Sequence, residues 1–558
     1  MFNAGKYLKF FLPLLFIFGL EIAIGAGVPS INSCGIRSAH YLATQAGCDV
    51  LEKGGNAFDA AVAVTSALAV VEPFSSGIGG GGFYLLKRAN SVDAVFLDAR
   101  EKAPAKANPS VFVKNGQVIK RLSLDGPTAA AIPGIPAALE YLSDNYGKLR
   151  LADTMEASIQ LAQEGFEVDE RYVKLTNYRI NRLKNDTNTS AIFLDGGELP
   201  KVGWTLKQLD LAETLRKISI RGAREFYFGS VGKEIFKSIK EGGGLWEKSD
   251  LESYAIEIRK PVELEFMGAK IISAPLPSSG GLVIAQALQI IENHRTFDMD
   301  QTDFAHLVIE AMRRGYSDRA IYMGDPDFTQ APIETLLSPA YASKRYQDID
   351  MNQASDSRNL SEGHFFINDS AETTHFSIVD AQGNQVAATL SINGLYGAAF
   401  TGGSTGVLLN NHMNDFVLGP GIPNLYGLVG TEANLVGPNK RPLSSMSPTF
   451  VEDERGVLII GTPGGSRIIS MVIQGILDYL SNEEISLERI VAKPRYHHQF
   501  IPDRVEVEPT GFNEDFIQGL TKKGHKIKVG SRRWGNMQVI FFNKETGEIF
   551  GASDPRGQ

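Results

Sequence analysis

Glu372-Thr373-Thr374-His375-Phe376-Ser377-Ile378-Val379, then Asp380-Ala381-Gln382-Gly383-Asn384, then Gln385-Val386-Ala387-Ala388-Thr389-Leu390-Ser391-Ile392-Asn393, is the stretch on which the fold turns. Residues 373–379 and 385–393 are rich in β-branched and apolar side chains, and residues 380–384 between them have a turn composition. They read as a β-hairpin. A turn centred on Gln382 sets Thr373 opposite Ser391, with Asn393 just beyond. Alternation gives Thr374, Phe376, Ile378, Val386, Ala388, Leu390 and Ile392 one face and Thr373, His375, Ser377, Thr389, Ser391 and Asn393 the other. The first face is core; the second gathers hydroxyls, an amide and an imidazole.

Outward from the hairpin, the chain has 558 residues, 43% apolar and 21% charged, enough for a large core or two to three domains. A net charge of −9 with no basic tract leaves nothing to neutralise a phosphate backbone, so nucleic acid is not expected as a partner. Lys6 and Lys9 precede an apolar run over residues 10–20, and Ala23, Gly25 and Ala26 follow, which is the layout of a signal peptide over residues 1–25. The expectation is an exported chain, periplasmic or secreted. The run is short for a membrane span, and an uncleaved anchor continuing through residues 22–28 is the alternative. With two cysteines, Cys34 and Cys48, the fold is no disulfide scaffold, and the sequence does not say whether they pair.

No repeat or low-complexity linker divides the chain, which reads as one large α/β body. Gly54, Gly55 and Asn56 lead into an Ala/Val-rich helix over residues 57–71, buried on most sides. Residues 151–240 are mostly helical, with amphipathic segments at 151–164 and 205–216, and residues 302–323 form another helix. From Thr373 onward the pattern turns β-rich, with strands at 457–460 and 537–542 and a helix at 468–480. Residues 348–370, polar and poor in apolar side chains, read as a mobile segment ending just before Thr373.

Gly77, Gly79 and Gly82 have dinucleotide-loop spacing, but they follow a helix and precede the strand at 83–86, the reverse of the required order. No Gly-Lys-Ser/Thr follows to hold phosphates, so no nucleotide cofactor is expected; close backbone approach is the better reason for these glycines. Residues 461–467 (Gly, Thr, Pro, Gly, Gly, Ser, Arg) lie between a strand and a helix. The N–H groups of Gly464 and Gly465 would there point outward at a helix N-terminus, suited to a developing oxyanion. His497 and His498 are adjacent with no cysteine cluster nearby, and no metal-site spacing is found.

Taken together, Thr373-Thr374-His375, the run 410–416 (Asn, Asn, His, Met, Asn, Asp, Phe), Pro442 to Pro448 and Gly464 to Arg467 resemble the small subunit of gamma-glutamyltransferases, also called glutathione hydrolases. Residues 54–63, 79–82 and 97–104 resemble the large subunit, so the likeness runs from about residue 30 to the C-terminus. The resemblance implies an N-terminal nucleophile hydrolase: a four-layer αββα sandwich, α/β (α+β) in class, cut between Glu372 and Thr373 into a large subunit, 26–372, and a small one, 373–558. The Thr373 hydroxyl would attack the Glu372 carbonyl to give an ester that water opens, and the freed α-amine would then serve as base for the same hydroxyl.

Carried over residue by residue, the resemblance makes Thr373 the nucleophile, supported by Ser391, with Gly464 and Gly465 holding the oxyanion. Arg100 would take the substrate α-carboxylate in a forked geometry, helped by Ser444 and Ser445, while Asn393 and Asp415 hold the α-ammonium. Two residues depart from the family pattern. Ser391 stands where a second threonine is usual, and His412 where Gln or Glu helps bind the ammonium, so a protonated imidazole would repel it. Residues 419–430 resemble a lid loop, with Tyr426 as its covering aromatic. The implied substrates are small molecules, glutathione and other γ-glutamyl compounds with amino acid or dipeptide acceptors, and the two subunits of one precursor would pair. An acylase for another amide, a β-lactam side chain or poly-γ-glutamate, is the alternative, and a catalytically silent binding protein a third reading.

Overall fold

A computed structural model describes residues 34–115, 117–294, 299–360, 373–419, 422, 424–425 and 427–557. The expected signal peptide, Glu372 and Tyr426 lie outside the described residues. The hairpin is present in the expected register: Thr374–Val379 pairs antiparallel with Gln385–Ser391, with Thr374 opposite Leu390 and His375 opposite Thr389. Asp380 Oδ1 makes the turn by accepting from the N–H groups of Gln382 and Asn384, both at 3.0 Å, and Gly383 supplies a φ of +88°.

Around this hairpin grows a six-stranded antiparallel sheet. Its order is Ile36–Ser38, Thr374–Val379, Gln385–Ser391, Gly81–Lys87, Val95–Ala99 and Glu257–Arg259. A second antiparallel sheet runs Ile549–Ser553, Gln538–Phe542, Gly456–Gly461, Thr449–Asp453, Ala269–Ser273 and Val262–Phe266. Phe376, Ile378, Val386, Ala388 and Leu390 share a core with the helices Tyr41–Glu52, Ala57–Val71, Leu151–Glu164 and Leu209–Arg221. The second sheet packs its far face on the helices Gly280–Glu292, Gln301–Tyr322 and Arg467–Leu480. The layers are therefore α, β, β, α, as expected.

The hairpin's polar face does not meet solvent. It lies between the sheets, with His375, Ser377 and Thr389 fully buried. His375 Nδ1 pairs with Thr389 Oγ1 at 2.8 Å and Nε2 with Ser377 Oγ at 3.2 Å, and Ser377 donates to the Gln538 carbonyl at 3.0 Å. These three side chains are thereby paired within the sandwich, which is what burial demands.

The helices Ala57–Val71 and Leu151–Glu164 have the expected bounds, and every residue of the first is buried. Asn56 caps it, its Oδ1 accepting from Phe58 and Asp59 N–H while Asp59 reaches back to the Asn56 N–H. Two expectations need correction. Residues 205–216 are not one helix: Thr205–Leu206 pairs with Phe166–Glu167, and the helix is Leu209–Arg221. The described part of the polar segment is tethered rather than loose, because Ser357 is fully buried, accepting from Arg313 and donating its N–H to Asp503. Cys34 and Cys48, left open by the sequence, are joined in a disulfide with Cα atoms 5.4 Å apart.

Candidate active site

Thr373 immediately precedes the first hairpin strand and is 3% exposed. Its hydroxyl donates to Ser391 Oγ across the pair at 3.4 Å, and Ser391 Oγ accepts from the Asn393 N–H at 2.8 Å. Asn393 has a φ of +74°, a left-handed turn in which its own amide donates to the Asn411 carbonyl at 3.0 Å. The strand thus ends in a kink that holds the serine against the threonine.

Facing Thr373 is a narrow cavity lined by Arg100, Arg319, Ser391, His412, Asp415, Ser444, Ser445, Gly465 and apolar neighbours. It encloses about 20 Å³, the room of roughly one water. Eight residues expected in the site, Thr373 included, share this wall; Asn393 and Gly464 do not. Gly464 instead lines an adjoining cavity with Arg467 and Trp534.

The helix Arg467–Leu480 explains why only one of the two glycines reaches the cavity. Gly464 and Gly465 take φ values of +141° and +57°, conformations costly to residues with a Cβ, and so turn the chain sharply into the helix. Their carbonyls accept from Arg467 and Ile468 N–H. Their own N–H groups have no partner among the described residues, the condition needed to bind an anion.

Arg100 follows the strand Val95–Ala99 and is fully buried. Its three nitrogens are all engaged: Nη2 with Asp415 Oδ2 at 2.5 Å, Nη1 with Glu101 Oε2 at 3.5 Å, and Nε with the Pro442 carbonyl at 3.1 Å. The open fork expected from the sequence is therefore closed on Asp415, and a carboxylate ligand must displace that contact. Among the described residues, Asp415 Oδ1 and Ser445 Oγ are left without a hydrogen-bond partner, both buried and both on residues of the cavity wall. A buried acceptor and a buried hydroxyl without partners mark positions for ligand groups.

His412 sits in a 3-10 turn, His412–Asp415, pinned by Asn410 and Asn411. Asn410 Oδ1 accepts from Ala131 and His412 N–H, and its Nδ2 donates to the Gly79 and Ala131 carbonyls. That is the close approach expected of Gly79, where a Cβ would collide with the Leu408 carbonyl. His412 Nδ1 lies 2.7 Å from Glu101 Oε1. A carboxylate at that distance offsets an imidazolium charge, so the simple repulsion expected from His412 is corrected by a neighbour that the sequence reading left out.

Asn424 and Leu428 of the glycine- and proline-rich segment reach the cavity wall, and Leu425 N–H donates to Asn414 Oδ1 at 2.7 Å. His497 and His498 serve as polar core: His497 bonds Ser470 and Gln499, and His498 bonds Asp503. Among the described residues one group, His306, Glu310 and His525, has metal-like spacing. Glu310 is taken by Arg313 and Arg314, at 3.1 and 2.6 Å, and the two imidazoles bond each other at 2.7 Å. Two guanidiniums beside the carboxylate oppose a dication, so the group is an ion-pair network.

The family profile described as Gamma-glutamyltranspeptidase matches residues 43–558. The chain belongs to this family. It is 40% identical over 526 residues to the glutathione hydrolase proenzyme of Escherichia coli (strain K12), covering 93% of this chain and 90% of that one. An acylase ACY 1 proenzyme of Pseudomonas sp. (strain V22) is 34% identical over 538 residues, covering 94% and 92%. Among solved structures, cephalosporin acylase from Bacillus halodurans superposes with a TM-score of 0.83 at 28% identity over 94% of this chain and 95% of that one. This gamma-glutamyltranspeptidase family member thus has relatives named for two kinds of amide cleavage on one N-terminal nucleophile hydrolase fold.

Sequence reading missed Arg319, which joins the wall from the helix Gln301–Tyr322. A faint signal existed in Tyr316 and Arg319, three residues apart on one helical face. Tyr316 OH donates to the Ser466 carbonyl beside the glycine turn, so that face of the helix points at the site.

Proposed function

We propose that this protein is a self-processed γ-glutamyl hydrolase and transpeptidase that cleaves the γ-glutamyl amide of glutathione and related compounds. The observation that carries the reading is the pairing, around one cavity, of the Thr373–Ser391 hydroxyls with an unpartnered Asp415 oxygen and an unpartnered Ser445 hydroxyl. Thr373 attacks the Glu372 carbonyl, the amide nitrogen of Thr373 leaves as the new α-amine, and water hydrolyses the ester. In the mature protein that amine takes the hydroxyl proton as Thr373 attacks the γ-glutamyl carbonyl, and the Gly465 N–H faces the developing oxyanion. Asp415 Oδ1 receives the α-ammonium, and the α-carboxylate replaces Asp415 on Arg100 with Ser444 and Ser445 beside it. The amide C–N bond then breaks, the leaving amine departs with the proton held by the Thr373 amine, and water or an amine acceptor takes the glutamyl group from the Thr373 ester.

The test is a denaturing gel of the purified protein beside Thr373→Ala, followed by turnover of γ-glutamyl 4-nitroanilide with and without an acceptor dipeptide. Two bands for the parent and one for the variant are expected, with anilide cleavage by the parent alone. A single band for both refutes self-processing at Thr373. The acylase relatives support a second reading, cleavage of a β-lactam side-chain amide, which preferential turnover of a glutaryl or adipyl cephalosporin would favour. Export follows as a further part of the proposal, and N-terminal sequencing of the large fragment checks it by a start near residue 26.

A further inference from the structure

Resting on that reading, one charged group on the cavity wall remains without a task. Arg319 is 4% exposed and sits on the helix Gln301–Tyr322, whose neighbouring turn carries Tyr316 against Ser466. Its Nε donates to Ser279 Oγ at 2.9 Å, and Ser279 in turn donates to the Ser444 carbonyl at 2.8 Å. The guanidinium is thereby fastened by one edge to the backbone of the serine pair. Its Nη1 and Nη2 have no acceptor among the described residues, although a buried guanidinium ordinarily finds one.

The charge count around the cavity sharpens the point. Arg100 is matched by Asp415 and Glu101, and Glu101 also faces His412. Asp415, the carboxylate on the wall, already lies against Arg100, and Arg319 has no carboxylate of its own within ion-pair reach among the described residues. Burial pushes the Arg319 guanidinium down to about 10, with the field of Asp415 acting the other way, which is the state of a cation short of a counter-ion. A group of this kind, fixed at Nε and open at both Nη atoms on the cavity wall that also carries Ser445, is shaped to take an anion with two oxygens.

We propose that Arg319 is a substrate-binding residue of the site, its Nη atoms taking the α-carboxylate of the γ-glutamyl group together with Ser445, while Arg100, released from Asp415, holds the same carboxylate from the other side. Two guanidiniums on one carboxylate make the site a reader of a complete amino acid head, ammonium on Asp415 and carboxylate between Arg100 and Arg319. Substrates lacking that carboxylate would lose the Arg319 contribution entirely.

The experiment measures kcat/KM for the parent, Arg319→Gln and Arg319→Lys on γ-glutamyl 4-nitroanilide and on the same anilide with its α-carboxylate converted to carboxamide. Loss of charge-assisted hydrogen bonds predicts that Arg319→Gln falls about 10- to 100-fold on the carboxylate substrate, mainly through KM, and less than about threefold on the carboxamide. Arg319→Lys keeps the buried charge and the fold but not the fork, and is expected to lose about tenfold, again on the carboxylate substrate alone. Should Arg319→Gln fail to fold or to process, the lysine variant decides by the same ratio. Equal losses on the two substrates, or no loss on the carboxylate, overturn the assignment. No turnover by the parent would instead remove the proposed function, so the two failures are told apart.

Discussion

His375 offers a quantitative test of the buried polar seam between the sheets. Its imidazole is fully buried, bonded to Thr389 and Ser377, and burial pushes it down to about 3 from the ordinary 6.5. The folded protein thus holds it neutral, while the unfolded chain binds a proton below about pH 6.5. Unfolding therefore takes up a proton in that range, and stability present above about pH 6.5 is lost as the pH falls toward 3. At about 1.4 kcal/mol for each pH unit below the unfolded value, the contribution lost between pH 7 and pH 5 is about 2 kcal/mol. The perturbation is His375→Gln in the Thr373→Ala background, which on the proposed self-processing keeps the chain in one piece. Glutamine removes the titration and retains an amide toward Ser377. The assay is urea unfolding of both proteins at pH 7, 6 and 5. Other buried histidines, His497, His498 and His525, titrate in both proteins and cancel in the difference. The parent is expected to be more stable at pH 7, with its advantage shrinking by about 2 kcal/mol at pH 5. An advantage that stays constant across the range refutes the buried, neutral imidazole.

Two further substitutions probe the elements around the nucleophile. Gly461→Ala places a Cβ inside the van der Waals envelope of the His375 ring, so overpacking of about 1–3 kcal/mol is expected, with slower appearance of the processed bands; an unchanged urea midpoint refutes it. Arg100→Lys keeps a charge beside Asp415 but loses the bond to Pro442 and the fork, so KM for γ-glutamyl 4-nitroanilide should rise about 10- to 100-fold with kcat less affected, and an unchanged KM refutes a binding role.

The hairpin was legible because two local signals agreed: a turn that fixes the register and an alternation that fixes the faces. The strand Gly456–Gly461 and the helix Arg467–Leu480 were legible for the same reason, being long apolar elements joined by a glycine turn. What local pattern could not reveal was the far side of the polar face. His375, Ser377 and Thr389 look solvent-facing by alternation, and only the second sheet, built from residues distant in sequence, makes them interior. The helix Gln301–Tyr322 shows the same limit. Its His306, Glu310, Arg313, Arg314, Asp318 and Arg319 are all buried, because their polar groups meet partners on the same helix and on other elements, or in Arg319's case a cavity. The site residues followed the motifs as far as which side chains gather, whereas the Arg100–Asp415 closure and the Glu101–His412 contact depend on side-chain geometry that no spacing encodes.

The sheets also constrain what cutting before Thr373 can do. Strands from the two sides of that bond adjoin at three places: Ile36–Ser38 flanks Thr374–Val379, Gln385–Ser391 pairs with Gly81–Lys87, and Thr449–Asp453 pairs with Ala269–Ser273. Three backbone ladders therefore cross between the halves, and ion pairs, among them the buried Arg100–Asp415 and the partly buried Arg313–Asp503, cross beside them. Opening one peptide bond leaves these ladders intact, so the halves stay together without any new contact. Ser391 and Asp415 are fixed by neighbours on both sides of the bond and need not move. On the proposed cleavage, activation is then a change at a single chain end: a neutral amide nitrogen becomes a basic amine beside the Thr373 hydroxyl. A proenzyme built this way folds its binding site before it acquires its base.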